Sequence, residues 1–193
     1  MDLTNAQTNN IIAQQTRKKT QSLTLQTLKP KHSANSNSTI LADISGSMYG
    51  EPLQQLKKAL KKVWRPGITG IAFNSNIYSF EEQDIDPLPA TGSTDMIGAL
   101  SEGWKLESGH MILITDGHPD GGASEVLRNV RLHPTPPIDT IGVGTGYDAD
   151  LLKQIAELTG GKFMDVSQPF LLTQTLELLL LTDHSTQGGS IRL

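Results

Sequence analysis

From residue 38 onward, short apolar runs alternate with longer stretches in which apolar residues recur every three or four positions. The short runs have the length of β-strands, and the longer stretches place their apolar side chains on one helical face. Predicted strands cover 39–44, 67–73, 77–80, 110–115, 137–143 and 162–166. Predicted helices cover 52–64, 94–104, 123–131, 150–158 and 169–181. This alternation predicts an α/β fold with a doubly wound, mostly parallel sheet and helices on both faces.

Two features refine the predicted sheet. The segment Asn74-Ser75-Asn76 between two strands has the composition of a tight turn, which predicts a hairpin and therefore one antiparallel edge strand. The run from His110 to Thr115 is almost continuously apolar, as is typical of a central parallel strand buried on both faces. A length of 193 residues is enough for one domain with a full core.

The first 37 residues differ from the rest of the chain. They are rich in Gln, Asn, Thr and Ser, and they carry five basic residues against one acidic residue, whereas the whole chain has a net charge of −4. We therefore predict a polar N-terminal arm at 1–37, a folded domain at 38–183 and a C-terminal tail at 184–193. A solvated tail is the simplest interpretation of the arm, and docking on another subunit is the alternative; we do not expect nucleic acid as a partner.

Composition also bears on location. The chain has no cysteine, so it offers neither disulfides nor a zinc–thiolate site. No apolar run approaches the roughly 20 residues that cross a bilayer, and the N-terminus does not resemble a secretion signal. These features predict no membrane contact and a cytoplasmic protein of bacterial type, or a virion-associated one if a phage encodes it.

Oxygen-bearing side chains cluster in three loops at one predicted edge of the sheet. In a doubly wound sheet, binding sites form beyond the carboxyl ends of the central strands. The loops there read Asp43-Ile44-Ser45-Gly46-Ser47, Thr91-Gly92-Ser93-Thr94-Asp95 and Asp116-Gly117. They bring together two carboxylates and three hydroxyls, which belong to Asp43, Ser45, Ser47, Thr94 and Asp116.

This donor set favours a hard divalent cation. Oxygen ligands suit Mg²⁺, Mn²⁺ or Ca²⁺ and disfavour zinc or copper, and compact hydroxyls on a tight turn fit the small Mg²⁺ best. Two carboxylates balance the charge of the ion, but neutral hydroxyls leave it short of anionic ligands. We expect a protein partner to supply the missing ligand as an Asp or Glu carboxylate.

The same residues resemble a known family. DISGS, the threonine of GSTDM and the DG of ITDG are similar to the metal-ion-dependent adhesion site of von Willebrand factor A domains, and the order of elements from about residue 38 to 182 resembles that fold. The resemblance implies that Ser45 and Ser47 bind the metal directly, that Thr94 binds directly or through water, and that Asp43 and Asp116 act largely through waters. Family members often have two glycines before the threonine; here the second is Ser93.

Three functions follow as alternatives. The first is a cation-dependent protein–protein interaction module without catalysis, within a larger assembly. The second is a Mg²⁺-dependent hydrolase or phosphotransferase, for which His118 is the only candidate base near the site. The third is a structural subunit of a phage-type assembly with a vestigial metal site. His118 is interpreted either as a residue at the rim of the ligand groove or as plain loop surface.

Overall fold

A computed structural model describes residues 37–181. The predicted arm up to residue 36 and the tail from residue 184 lie outside these residues. The strands are β1 (Ser38–Asp43), β2 (Ile68–Phe73), β3 (Ile77–Phe80), β4 (His110–Thr115), β5 (Ile138–Val143) and β6 (Phe163–Val166). The helices are α1 (Glu51–Val63), α2 (Met96–Lys105), α3 (Ala123–Leu132), α4 (Ala149–Thr159) and α5 (Leu172–Leu181).

The six strands form one sheet in the order β3-β2-β1-β4-β5-β6. All neighbouring pairs are parallel except β2 and β3, which pair antiparallel as the Asn74–Asn76 turn predicted. From β1 the chain builds outward to β2 and β3, and from β4 it builds outward in the other direction. The two central strands β1 and β4 therefore flank the point where the strand order reverses, which is where doubly wound sheets bind ligands.

Helices cover both faces of the sheet, and this confirms the predicted fold class. Every residue of β1, β4 and β5 is buried. Alternate side chains of β1 enter different cores: Ile40 and Ala42 belong to the core under α1 and α5, whereas Leu41 belongs to the core under α2, α3 and α4. The buried sheet gives the loops at its edge a rigid base.

Helix ends follow the local sequence. Asp95 is the N-cap of α2, where its side chain accepts a hydrogen bond of 2.9 Å from the backbone N–H of Gly98. Gly160, with a φ of 76°, ends α4 in the left-handed conformation that glycine tolerates. The last predicted helix begins as a 3₁₀ turn at Pro169–Leu171 before α5 starts. Within residues 37–181, no helix has the length and apolarity needed to cross a membrane.

Candidate metal centre

Asp43 ends the central strand β1 and is completely buried. Its Oδ1 accepts a hydrogen bond of 2.8 Å from the backbone N–H of Ser45, and its Oδ2 accepts one of 2.5 Å from the hydroxyl of Thr115. Both carboxylate oxygens are thus engaged inside the protein. Asp43 lies behind the neighbouring cleft and does not line it.

Ser45 and Ser47 stand on a short 3₁₀ turn, Gly46–Met48, that follows β1. Met48 is buried beneath the turn and fixes it to the core. The two serine oxygens are 3.0 Å apart, and the Ser47 hydroxyl donates to Oδ1 of Asp116 at 2.7 Å. Because a hydroxyl has one proton, the Ser45 hydroxyl donates to Ser47 in turn, which forms a chain from Ser45 through Ser47 to Asp116.

Backbone hydrogen bonds tie the second loop to the first. The N–H of Gly46 donates to the carbonyl of Gly92 at 3.0 Å, and the N–H of Thr91 donates to the carbonyl of Ile44 at 3.0 Å. Gly92 has a φ of 80°, and a Cβ there would lie 2.6 Å from Oγ of Ser75, so this position requires glycine. The loop is therefore held by its main chain and not by the side chains that face the cleft.

All three loops meet around Gly117. A Cβ built on Gly117 would lie 3.4 Å from Oγ of Ser47 and 3.6 Å from Oγ1 of Thr94. With the contact between Ser47 and Asp116, this places hydroxyls of two loops and the carboxylate of the third within a few ångströms of one point. The strand-end rule had predicted this convergence.

The oxygens open onto a cleft of about 550 Å³. Four of the five predicted residues line it: Ser45, Ser47, Thr94 and Asp116. The other walls come from the N-terminal end of α1, the β3–α2 loop, the β4–α3 loop, and the end of β5 with the β5–α4 loop. They include Pro52, Gly92, Gly117, His118, Val143, Gly144, Thr145 and Gly146. His118 thus lies at the rim, where its Nδ1 is 3.9 Å from Oδ2 of Asp148.

Burial raises the pKa of both carboxylates. It raises the pKa of Asp43 from 3.8 to about 6, although the hydrogen bonds from Thr115 and Ser45 lower it in part, and the neighbouring charge of Asp116 raises it. Burial also raises the pKa of Asp116, against the hydrogen bond from Ser47. Two negative charges held near each other with only neutral donors would be stabilised by a cation in the cleft.

The donor chemistry fits a hard cation and not a soft one. Nowhere in residues 37–181 do three His, Cys, Asp or Glu side chains gather as they do in zinc or iron sites. The cleft offers serine and threonine hydroxyls backed by aspartates, and the gap at Gly117 leaves the hydroxyls accessible where a larger residue would fill it. The residues present therefore fit Mg²⁺ or a similar ion.

Sequence reasoning missed several supporting contacts. Thr115 binds Asp43 and also accepts the backbone N–H of Gly117 at 3.2 Å. Ser93 donates to Oδ2 of Asp120 at 2.5 Å, and its oxygen lies 3.1 Å from that of Ser75. The only signal for Thr115 was its position as the polar end of an apolar strand. The Ser93–Asp120 contact joins two loops and had no local signal, yet it shows how the second loop is held without a second glycine.

Comparison with known proteins agrees with this geometry. The model of the von Willebrand factor type A domain matches residues 37–81 and 81–165, which is more than half of the chain. The chain belongs to this family. The resemblance in DISGS, GSTDM and ITDG is thereby confirmed at the level of the family.

Relatives of this von Willebrand factor A (VWA) domain come from different kinds of organism. Inter-alpha-trypsin inhibitor heavy chain H1 of Bos taurus is 27% identical, over 74% of this chain and 20% of its own length. A von Willebrand factor type A structure from Catenulispora acidiphila has a TM-score of 0.68 at 18% identity, over 75% of this chain and 41% of that one. The chain thus spans about a fifth of the length of the curated relatives it matches.

One structural neighbour bears on the metal. Proximal thread matrix protein 1 from the mussel byssus, in a form with zinc in its metal-ion-dependent adhesion site, has a TM-score of 0.54 at 18% identity, over 76% of this chain and 47% of that one. VWA domains with this motif bind divalent metals and are commonly protein–protein interaction modules, mainly without enzymatic activity. The choice of Mg²⁺, a cytoplasmic or virion location, and a bacterial or phage origin stay predictions.

Proposed function

We propose that this VWA domain is a Mg²⁺-dependent interaction module that captures an Asp or Glu side chain of a protein partner. The observation that carries the proposal is the convergence of Ser45, Ser47, Thr94 and Asp116 on one open cleft, with Asp43 buried behind them. We assign the domain to residues 38–183, with 1–37 as an arm and 184–193 as a tail.

The hydroxyl chain supports distinct roles for these residues. Since Ser47 donates its proton to Asp116 and accepts one from Ser45, one lone pair of Ser47 remains for a cation. Both lone pairs of Ser45 remain, because Ser45 donates to Ser47. These two serines are the direct ligands in the proposal. Thr94 binds directly or through water, and Asp43 and Asp116 supply the balancing negative charge.

The need for a partner follows from the charges. Bound in the cleft, Mg²⁺ would supply a Lewis-acidic centre that holds oxygen anions. This chain offers it three neutral hydroxyls, and both aspartates are already engaged in hydrogen bonds. A carboxylate from outside is the anionic ligand that the set lacks, and the open cleft gives it access. Mn²⁺ or Ca²⁺ could occupy the same oxygens.

Calorimetry with metal ions tests the binding site directly. The wild-type chain should bind one Mg²⁺, Ser47→Ala should lose most of that binding, and Ser124→Ala should retain it, because Ser124 is an exposed serine in the first turn of α3. Equal Mg²⁺ binding by Ser47→Ala and the wild-type chain would overturn the ligand assignment.

Affinity capture from the native source tests the partner. The captured protein should appear in Mg²⁺ and disappear in EDTA, and it should also be lost with Asp116→Ala in Mg²⁺. A partner that stays bound in all three conditions would show that recognition does not pass through the metal.

A further inference from the structure

The loops at the proposed metal end of the sheet carry acidic residues but no Lys or Arg in the described part of the chain. The loops at that edge, residues 43–51, 74–76, 91–95, 116–123 and 144–150, contain no Lys or Arg, whereas the described part of the chain has ten elsewhere. Besides Asp43 and Asp116, these loops carry Asp95, which caps α2, and four further carboxylates. We call them the rim carboxylates: Glu51, Asp120, Asp148 and Asp150.

Each rim carboxylate is placed by an element next to the cleft. Glu51 is in the first turn of α1 and precedes Pro52, which lines the cleft. Asp120 follows His118 by two residues, and Asp148 lies 3.9 Å from the His118 ring. Asp150 is in the first turn of α4 and is exposed. A partner reaching the metal therefore passes close to several negative charges.

The partial positive charges at the helix N-termini stabilise carboxylates at this edge, but they do not cancel the negative charge of these carboxylates. Each helix start contributes about half a positive charge, so the five helices that begin at this edge supply about +2.5. A divalent cation is already balanced by Asp43 and Asp116. The four rim carboxylates therefore leave this edge net negative even with the metal bound. A partner segment that is acidic throughout would be repelled where it must bind.

Tyr49 adds an aromatic contact to the same edge. It lies two residues after Ser47, and it is 82% exposed. Its main chain is held in place, because its N–H donates to the carbonyl of Gly46 at 3.2 Å and the preceding Met48 is buried. An exposed aromatic ring on a rigid turn can receive a Lys or Arg cation over its face, and such residues often anchor interfaces.

We propose that the partner presents its metal-binding Asp or Glu within a segment that carries Lys or Arg on both sides of it. The rim carboxylates attract the flanking cations, and the Tyr49 ring packs against one of them. This inference rests on the proposed function and specifies the chemistry of the partner that the cleft selects.

Synthetic peptides immobilised on beads test the inference. Three peptides share one backbone: a central Asp flanked by lysines, the same Asp flanked by glutamates, and a central Asn flanked by lysines. In Mg²⁺ the wild-type chain should bind the lysine-flanked Asp peptide best, at least about 10-fold above the glutamate-flanked one, because several exposed charge pairs act together. The advantage should shrink in high salt.

Charge-neutralising variants locate the effect. Glu51→Gln combined with Asp150→Asn should reduce the preference for lysine flanks about 3- to 10-fold, as expected for two exposed pairs. The matched control, Glu82→Gln combined with Glu157→Gln, makes the same charge change at exposed positions away from the cleft and should leave the preference unchanged. Tyr49→Ala should weaken binding of the lysine-flanked peptide, and Tyr49→Phe should preserve it.

The outcomes separate the two proposals. Equal Mg²⁺-dependent binding of the lysine- and glutamate-flanked Asp peptides overturns the inference and leaves the proposed function standing. If binding of the lysine-flanked peptides does not depend on Mg²⁺ or on the central Asp, the proposed function fails and the inference fails with it. An equal loss of preference in the matched control also overturns the inference, because it assigns the effect to net charge alone.

Discussion

Two buried aspartates stand at opposite ends of the same sheet, and the protein treats them differently. Asp139, near the start of β5, accepts hydrogen bonds from Nε2 of His110 at 2.9 Å and from the N–H of Lys162 at 2.7 Å. Asp43, at the end of β1, accepts from the neutral Thr115 hydroxyl and the Ser45 N–H. Asp139 is paired with a side chain that can carry positive charge, whereas Asp43 is not.

This difference indicates a structural role for the end of the sheet at Asp139 and a binding role for the end at Asp43. A buried carboxylate is stabilised when a cation or strong donors offset its lost hydration. At Asp139 the protein supplies these stabilising partners with its own residues, so the Asp139–His110 pair has a structural role. At Asp43 burial raises the pKa to about 6, and in the proposed function a metal ion from solution would supply the offset.

Removal of the Asp139 carboxylate should have the largest effect on stability. We expect Asp139→Ala to lower the free energy of unfolding by about 3–5 kcal/mol, because it removes the buried carboxylate that accepts hydrogen bonds from His110 and from the N–H of Lys162. Urea denaturation measures the change. Excess Mg²⁺ should restore none of the difference between this variant and the wild-type chain, since the metal binds at the other end. A loss below about 1 kcal/mol would contradict a structural role for the pair.

The raised pKa of Asp43 predicts a pH dependence of stability without metal. Because the folded state holds this proton more tightly than the unfolded chain, the contribution of Asp43 to stability is greatest below pH 3.8 and falls as pH rises to about 6. The loss amounts to about 3 kcal/mol. Urea denaturation in EDTA across this range measures it, and Asp43→Asn should remove this component. A wild-type profile that matches that of the variant would contradict the raised pKa.

Binding of Mg²⁺ should raise the free energy of unfolding by a similar amount at neutral pH. At a concentration 100-fold above its Kd, Mg²⁺ should stabilise the wild-type chain by about 2.7 kcal/mol. The gain should be smaller at pH 5, where Asp43 holds its proton more often. Thermal unfolding with and without EDTA measures both effects. Ser47→Ala should abolish the gain and Ser124→Ala should keep it, so equal gains would argue for binding elsewhere.

Removal of the Thr115 hydroxyl should have the smallest effect on stability, and it tests how Asp43 is held. Thr115→Val keeps the shape of the side chain but removes the hydroxyl that donates to Asp43, so it should cost about 1–2 kcal/mol at neutral pH in EDTA. The cost should decline below pH 4, where Asp43 is protonated in both proteins. Paired urea titrations at the two pH values test this. A cost that is the same at both would show that Thr115 acts by packing alone.

The fold was predictable because its signals are local. Hydrophobic periodicity located the six strands and five α-helices that residues 37–181 form, and the Asn74–Asn76 turn identified the antiparallel edge. In α1 the apolar residues that recur every three or four positions are Leu53, Leu56, Leu60 and Val63, of which Leu53 is partly buried and the other three are buried. Such patterns survive in a single sequence because each element must bury one face.

The site was predictable in outline but not in its supports. Strand ends and the family resemblance brought the five oxygen-bearing residues to one edge, yet the continuous apolar run of β4 could not show which face Thr115 would take. Thr94 and Asp95 both have side chains that can cap a helix, so the sequence alone does not choose between them. The structure selects Asp95, because its longer carboxylate reaches the N–H of Gly98, and Thr94 is thereby released to line the cleft.

The two main-chain bonds that join the first and second loops, from Gly46 to Gly92 and from Thr91 to Ile44, have a consequence for engineering. They hold the main chain of the candidate metal centre independently of the side chains that line the cleft. We therefore expect the hydroxyl of the exposed Ser47 to be exchangeable for an amide without loss of the loop backbone. The same scaffold should therefore accept redesign toward a larger or more highly charged ion.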